Sequence, residues 1–328
     1  MSLRREAIEE LPPETTGALT FHLPMEVAAL ELAGADPALI EQRIALRLAE
    51  AYATGLVDPP LYRWAVEHYG PIGQALLSDD PAERVAAFGG INTLGDGLAG
   101  AAFHGLIRLG YGLWRRDHAE VARGLAYLRT RRQVLICGAV TPTMVSAPPP
   151  LPPADQLDGV TVFDLMNLAA GSEDPAALVP PGEGPLNLQR LAGAATALVE
   201  RNPSSFVAVH TVTGLHGLCE LHHAVAGPVD RTSPLADTLL AGWWHAYAVA
   251  LGAATVVMGR FAAEEVPAAV HVHDDAEALL ADAVSSGETH NVKLVLALRR
   301  LEQFGVLDEA DVRRLGAVKL AASECAPH

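Results

Sequence analysis

Thirteen histidines are scattered through the 328 residues of this chain, and five of them sit among apolar neighbours where the sequence reads as helix. They are His22 in Phe21-His22-Leu23-Pro24-Met25, His104 in Phe103-His104-Gly105-Leu106-Ile107, His210 after Val207-Ala208-Val209, His245 after Trp243-Trp244, and His290 in Glu288-Thr289-His290-Asn291-Val292-Lys293-Leu294. One such histidine is ordinary core furniture. Several on separate helices can converge on a metal, because imidazole is the commonest ligand of iron, zinc and copper and a helical interior gathers side chains from facing helices. Lys293 follows His290 by one turn and shares its face. An ammonium there would repel a metal and be expensive to bury. The position therefore suits a neutral amine, or a carbamylated one whose anionic oxygen can join the ligands; the alternative is a lysine that snorkels to the surface.

Other motifs carry less. Gly95-Asp96-Gly97-Leu98-Ala99-Gly100 fits GxGxxG, but Phe88-Gly89-Gly90-Ile91-Asn92-Thr93 ahead of it is too short and glycine-rich for the strand a dinucleotide fold requires. Close packing at small residues is the better reading. His273-Asp274 resembles the metal-binding pair of HD phosphohydrolases, yet Asp274 and Asp275 stand where they would cap the next helix. His68, His118, His222, His223 and His328 read as surface residues. His216 follows His210 by six positions, which turns it away from any metal His210 binds.

The elements that must place these residues are helices. Apolar periodicity runs from Leu23 to Leu32 and again from Leu39 to Leu48. Gly34 with Asp36-Pro37 supplies the stop and restart between them. Further helices are expected at about 60–76, 81–92, 97–113, 117–136, 187–200, 205–224, 234–260, 274–286, 288–304 and 308–322. Between Gly138 and Pro203 the prolines at 148–150, 152, 153, 180, 181 and 185 interrupt helix. The expectation is an all-α fold, one large multi-helical domain over residues 1–328, with a Pro/Gly-rich loop or lid at about 138–203.

Composition narrows the partners. Half the residues are hydrophobic, enough to bury a sizeable core, and a formal charge of −16 without a Lys/Arg cluster disfavours nucleic acid. Cys137, Cys219 and Cys325 are odd in number and far apart, so neither a disulfide framework nor a thiolate zinc site is signalled. The N-terminal Met1-Ser-Leu-Arg-Arg-Glu6 lacks a secretory signal's apolar stretch, and the cytoplasm is the expected location. Residues 238–259 hold no Asp, Glu, Lys or Arg. Their many Ala and Gly and the central His245 favour an interior helix, with His245 near the histidine cavity, over a membrane span.

Four blocks in order give the chain a resemblance to the questin-oxidase-like family: His22-Leu-Pro-Met25 with Ala-Leu-Glu-Leu-Ala-Gly34, Phe103-His104-Gly-Leu-Ile-Arg-Leu-Gly-Tyr-Gly112, Val209-His210-Thr-Val-Thr213-Gly-Leu-His216, and His290-Asn-Val-Lys293-Leu. The resemblance implies an all-helical oxidoreductase that uses dioxygen on aromatic, anthraquinone-type polyketides, by Baeyer–Villiger-like oxidation or ring cleavage. It further implies a mononuclear non-haem Fe(II) site with His22, His104, His210, His290 and a carbamylated Lys293 as ligands. Within the second block His104, Arg108 and Tyr111 share a helical face, which makes Arg108 and Tyr111 candidates for substrate contact. The expected partners are a small aromatic substrate and dioxygen in an apolar pocket that protects oxidised intermediates from water. The sequence leaves open the oligomeric state and whether NADPH takes part. Two competing functions are an HD-type metal-dependent hydrolase and a non-catalytic helical scaffold in which every histidine is structural.

Overall fold

A computed structural model describes residues 8, 11–16, 19–133, 135, 166, 184–228, 230–259, 273 and 275–325. Among these the chain is all-α apart from three two-residue strands, one isolated bridge and short 3-10 turns. The strands are β1 (Glu14–Thr15), β2 (Leu19–Thr20) and β3 (Leu56–Val57), with β1 central and both partners antiparallel to it.

The helices are α1 (Leu23–Leu32), α2 (Pro37–Thr54), α3 (Tyr62–Leu76), α4 (Pro81–Gly89), α5 (His104–Trp114), α6 (His118–Thr130), α7 (Leu188–Arg201), α8 (Phe206–Ala226), α9 (Ala241–Met258), α10 (Ala276–Ser285), α11 (Thr289–Gln303) and α12 (Glu309–Cys325). Local chemistry sets their ends. Asp36, Asp80, Asp117, Asn187, Ser205, Asp275 and Glu288 each accept a backbone N–H of the first turn, satisfying donors that the helix itself leaves free. Between α1 and α2 the chain turns through Gly34 at φ +69°, a conformation that costs glycine nothing.

Helix α8 is apolar nearly all round and buried along most of its 21 residues, the pattern of a central helix. It packs on α5 and α11; α1 in turn touches both α5 and α11, so α1, α5, α8 and α11 form a closed ring of contacts. The α5–α8 crossing is close because glycines meet there. A Cβ on Gly110 would stand 2.5 Å from the Gly217 Cα, inside any permitted contact.

Several sequence expectations need correction. The helix expected over 97–113 begins at His104, because Ala101, Ala102 and Phe103 take left-handed φ values of 47°, 57° and 63°. The 81–92 helix ends at Gly89, and residues 92–97 form a 3-10 turn. Gly95, Gly97 and Gly100 of the GxGxxG match lie against Trp243, Arg132 and Arg131, where any Cβ would clash, so packing accounts for all three. The 117–136 helix stops at Thr130, and the one expected from 234 starts at Ala241. No described helix is long and apolar enough to cross a membrane. Most of the proposed 138–203 loop lies outside the described residues; its C-terminal end is α7, which starts at Leu188.

Candidate metal centre

Each helix of the closed ring supplies one imidazole. His22 immediately precedes α1, His104 opens α5, His210 lies in the second turn of α8, and His290 is in the first turn of α11. Their rings form one cluster: His22–His104 centroids are 4.7 Å apart, His22–His290 5.1 Å, His104–His210 4.4 Å and His210–His290 5.2 Å. His22, His210 and His290 offer ring nitrogens that all lie within 4.8 Å of one another. His104 lies outside that trio and hydrogen-bonds through its Nε2 to the Nε2 of His22 at 2.8 Å. Two nitrogens bound at right angles to one ion, each at about 2 Å, stand about 3 Å apart, so this spacing suits neighbouring ligands.

The unpaired atoms give the stronger sign. Neither ring nitrogen of buried His210 has a hydrogen-bond partner, and the same is true of His290 Nε2 and Lys293 Nζ. Each orphaned buried polar group costs about 1–3 kcal/mol, and such groups are scarce in folded proteins. Lys293 is 0% exposed. Burial lowers its pKa from 10.5 to about 8. The four imidazoles are held well toward the neutral, lone-pair-bearing form: burial is the main cause for each, and the Lys293 charge adds to it in every case. Neutral imidazoles and a deprotonatable amine, with both His210 nitrogens, His290 Nε2 and Lys293 Nζ left without partners, form a donor set that fits a cation.

Outer hydrogen bonds fix two of the rings. Glu288 caps α11 by accepting the Asn291 N–H at 2.9 Å through one oxygen, and accepts from His290 Nδ1 at 2.9 Å through the other. The carboxylate thus places the proton on Nδ1 and leaves Nε2 free to bind. Burial pushes the Glu288 pKa up, but the hydrogen bonds it accepts from His290 outweigh it and the net shift is downward. His104 Nδ1 meets the Ala101 carbonyl, which the left-handed turn ahead of α5 brings onto it. Residues held at such φ cost about 1–3 kcal/mol each and gather at functional sites. A cleft of about 360 Å³ opens on His22 and His290. Its wall mixes Thr15, Thr20, Arg47, Glu50, Glu288 and Thr289 with the apolar side chains of Phe21, Leu23 and Ala51. Arg47 ties the wall together by donating to Glu26 of α1, Glu50 of α2 and Thr289 of α11.

The other sequence candidates lie elsewhere. Arg108 does share a helix with His104, but its guanidinium is committed to Glu120 by two hydrogen bonds of 2.8 and 2.9 Å and to the Tyr62 hydroxyl at 3.3 Å. Both partners of that ion pair are buried. Tyr111 packs on His216 and Trp114, two turns along α5 from His104. His216 is buried beside Glu220, apart from the four-ring cluster. His222 is buried, not superficial, and its Nδ1 accepts from the Trp244 indole at 3.1 Å. His245 is exposed, since α9 turns Trp244 and Tyr247 inward and His245 outward. His273 stands 3.6 Å from Asp282 of α10, outside the cluster, and Asp274 lies beyond the described residues. Sequence reasoning gave no role to Glu288, Thr20, Tyr127 or Glu14; Glu288 alone left a trace, as an acidic residue at the start of a helical pattern two positions before a histidine. Comparison with protein-family models, with curated proteins and with solved structures finds no match to this chain.

Proposed function

We propose that the protein is a mononuclear non-haem iron oxygenase that acts with dioxygen on a small hydroxylated aromatic compound of the anthraquinone-type polyketide class. The observation that carries this reading is the packing of His22, His104, His210 and His290 into one cluster, beside a buried lysine whose charge acts on all four rings and whose nitrogen has no hydrogen-bond partner. Order and spacing of the four sequence blocks, which resemble the questin-oxidase-like family, support the choice of iron and of an aromatic substrate. Bound iron would supply the one-electron chemistry that lets dioxygen react with closed-shell organic molecules.

The chain's own residues do the rest. His22, His104, His210 and His290 would hold the ion with neutral nitrogens, and Lys293 would add a ligand either as an amine or, after carbamylation, as an anionic oxygen. Carbamylation joins the neutral amine nitrogen to carbon dioxide and releases one proton, so burial that holds the Lys293 pKa near 8 favours it at neutral to mildly basic pH. Glu288 keeps the His290 ring turned inward. Threonine hydroxyls and Arg47 in the cleft can hydrogen-bond the phenol and carbonyl groups of a quinone-type substrate, while Phe21 and Leu23 meet its ring. Baeyer–Villiger-like oxidation and ring cleavage are both compatible with this arrangement.

The test is oxygen uptake by the iron-reconstituted protein with a set of hydroxyanthraquinones, read by an oxygen electrode and by product mass. Substrate-dependent uptake and a product one or two oxygen atoms heavier are expected. Iron binding without uptake on any hydroxylated aromatic would overturn the oxygenase reading.

A further inference from the structure

A helical protein has no evident need of strands two residues long, yet among the described residues three form a small sheet that reaches the histidine cluster through Thr20. In the β1–β2 pair Glu14 stands opposite Thr20, and cross-strand partners present their side chains on one face. Tyr127 of α6 connects them: its hydroxyl donates to Glu14 Oε1 at 3.0 Å and lies 2.9 Å from Thr20 Oγ1. Thr20 Oγ1 is in turn 3.2 Å from His104 Nδ1. Glu14 is buried and is gripped through both oxygens by Arg131.

The direction of this line follows from its end. A carboxylate paired with arginine only accepts. Burial pushes the Tyr127 phenol pKa up, so the hydroxyl keeps its proton and gives it to Glu14. Its oxygen can then serve Thr20 only as an acceptor, and the Thr20 hydroxyl must point at Tyr127. What Thr20 turns toward His104 is therefore a lone pair, which needs a proton on Nδ1. The Ala101 carbonyl makes the same demand on the same nitrogen. A Thr20 hydroxyl free to rotate could donate instead and would favour the opposite tautomer.

We propose that Glu14, acting through Tyr127 and Thr20, is a positioning residue that, together with the Ala101 carbonyl, holds His104 in its Nδ1–H form and so aims His104 Nε2 at the metal space. It is the relayed counterpart of the direct Glu288–His290 contact. The small sheet exists, on this account, to bring Glu14 and Thr20 to the start of α1 together, one on each side of Tyr127. The metal part of the inference rests on the reading given under Proposed function; the direction of the hydrogen bonds does not.

Two readouts on the full-length protein test it and separate the two parts. The first is the ring ¹⁵N spectrum of metal-free, ¹⁵N-histidine-labelled protein, in which the two tautomers have distinct nitrogen shifts. Wild-type His104 should be in the Nδ1–H form, and Tyr127→Phe, which frees the Thr20 hydroxyl and leaves the Ala101 carbonyl alone to hold that proton, should let a minor population of the Nε2–H form appear. The second is Co(II) affinity, which Tyr127→Phe should weaken by about 10–100-fold, the usual effect of losing an outer hydrogen bond to a ligand. Thr20→Val should lose affinity on the same scale and Thr20→Ser, which keeps the hydroxyl, should stay within about threefold of wild type; this pair decides the matter if Tyr127→Phe does not fold. A wild-type Nε2–H form, or a Tyr127→Phe protein with unchanged tautomer and unchanged affinity, would overturn the proposal. A wild type that shows the expected spectra yet takes up no cobalt would support the relay and remove the metal centre.

Discussion

Replacing Lys293 by methionine should make the metal-free protein more stable and the metal-binding protein useless. The side chain is fully buried with no partner for its nitrogen. Its pKa falls from 10.5 to about 8, and at 1.36 kcal/mol per pKa unit the charged form is destabilised in the fold by about 3 kcal/mol. The sign follows from linkage. Below the folded pKa both folded and unfolded lysines are protonated and the whole penalty is present; it shrinks as pH rises from 8 toward 10.5 and is gone above that. Methionine fills nearly the same unbranched volume without a charge. In carbon-dioxide-depleted buffer with chelator at pH 7, Lys293→Met should therefore gain up to about 3 kcal/mol, and the advantage should fade by about pH 10.5. With an unfolding entropy of about 0.7 kcal/mol/K for a chain of this size, the gain corresponds to a Tm increase of about 4 °C. Urea unfolding at pH 7 and pH 10, with and without Fe(II), measures both effects. A variant less stable than wild type at pH 7, or one that still gains stability on adding Fe(II) as wild type does, would refute the argument that this lysine is kept for the metal and against the fold.

Three further outcomes are expected. Arg108→Ala should cost about 3–5 kcal/mol, because it leaves Glu120 as a buried charge without its bidentate partner, while Fe(II) uptake by the folded fraction persists; unfolding by urea and metal content of the soluble protein check the two halves. Glu288→Gln should weaken Fe(II) binding by about 10–100-fold, since the amide can donate where the carboxylate could only accept, with a small loss from the altered cap of α11; competition with a chromophoric chelator measures it. Bicarbonate should tighten metal binding at pH 8 and above in wild type and leave Lys293→Arg unaffected, because a guanidinium stays cationic and does not form the carbamate; ¹³C-bicarbonate NMR should show the carbamate carbon in wild type alone.

Much of the histidine cluster is legible in the sequence because each of its candidates sits in an apolar helical stretch. A hydrophobic helix leaves an imidazole or an amine few explanations, and His22, His104, His210, His290 and Lys293 were all marked by that contrast. The helix boundaries read from caps and prolines were close where Asp36-Pro37, Asp80-Pro81 and Asp117 announced them. Spacing along one helix places Arg108 on the His104 face, but only the fold reveals that Glu120 of the next helix claims it first. The left-handed run Ala101–Phe103 contains none of the glycines or asparagines that usually signal such turns, because tertiary packing imposes it. Strands of two residues have no periodicity to detect, so Glu14 and Thr20 carried no signal at all. His245 was misplaced for a simpler reason: on an almost wholly apolar helix the pattern cannot say which face turns outward.

Whether the four imidazoles and Lys293 make one metal site is tested most directly by anaerobic titration of the chelator-treated protein with Fe(II). Uptake of one equivalent per chain is expected, with loss of that uptake in His210→Ala, whose two ring nitrogens have no other partner to explain them, and in Lys293→Arg. A wild-type protein that binds no iron, or one whose iron binding survives both substitutions intact, would contradict it.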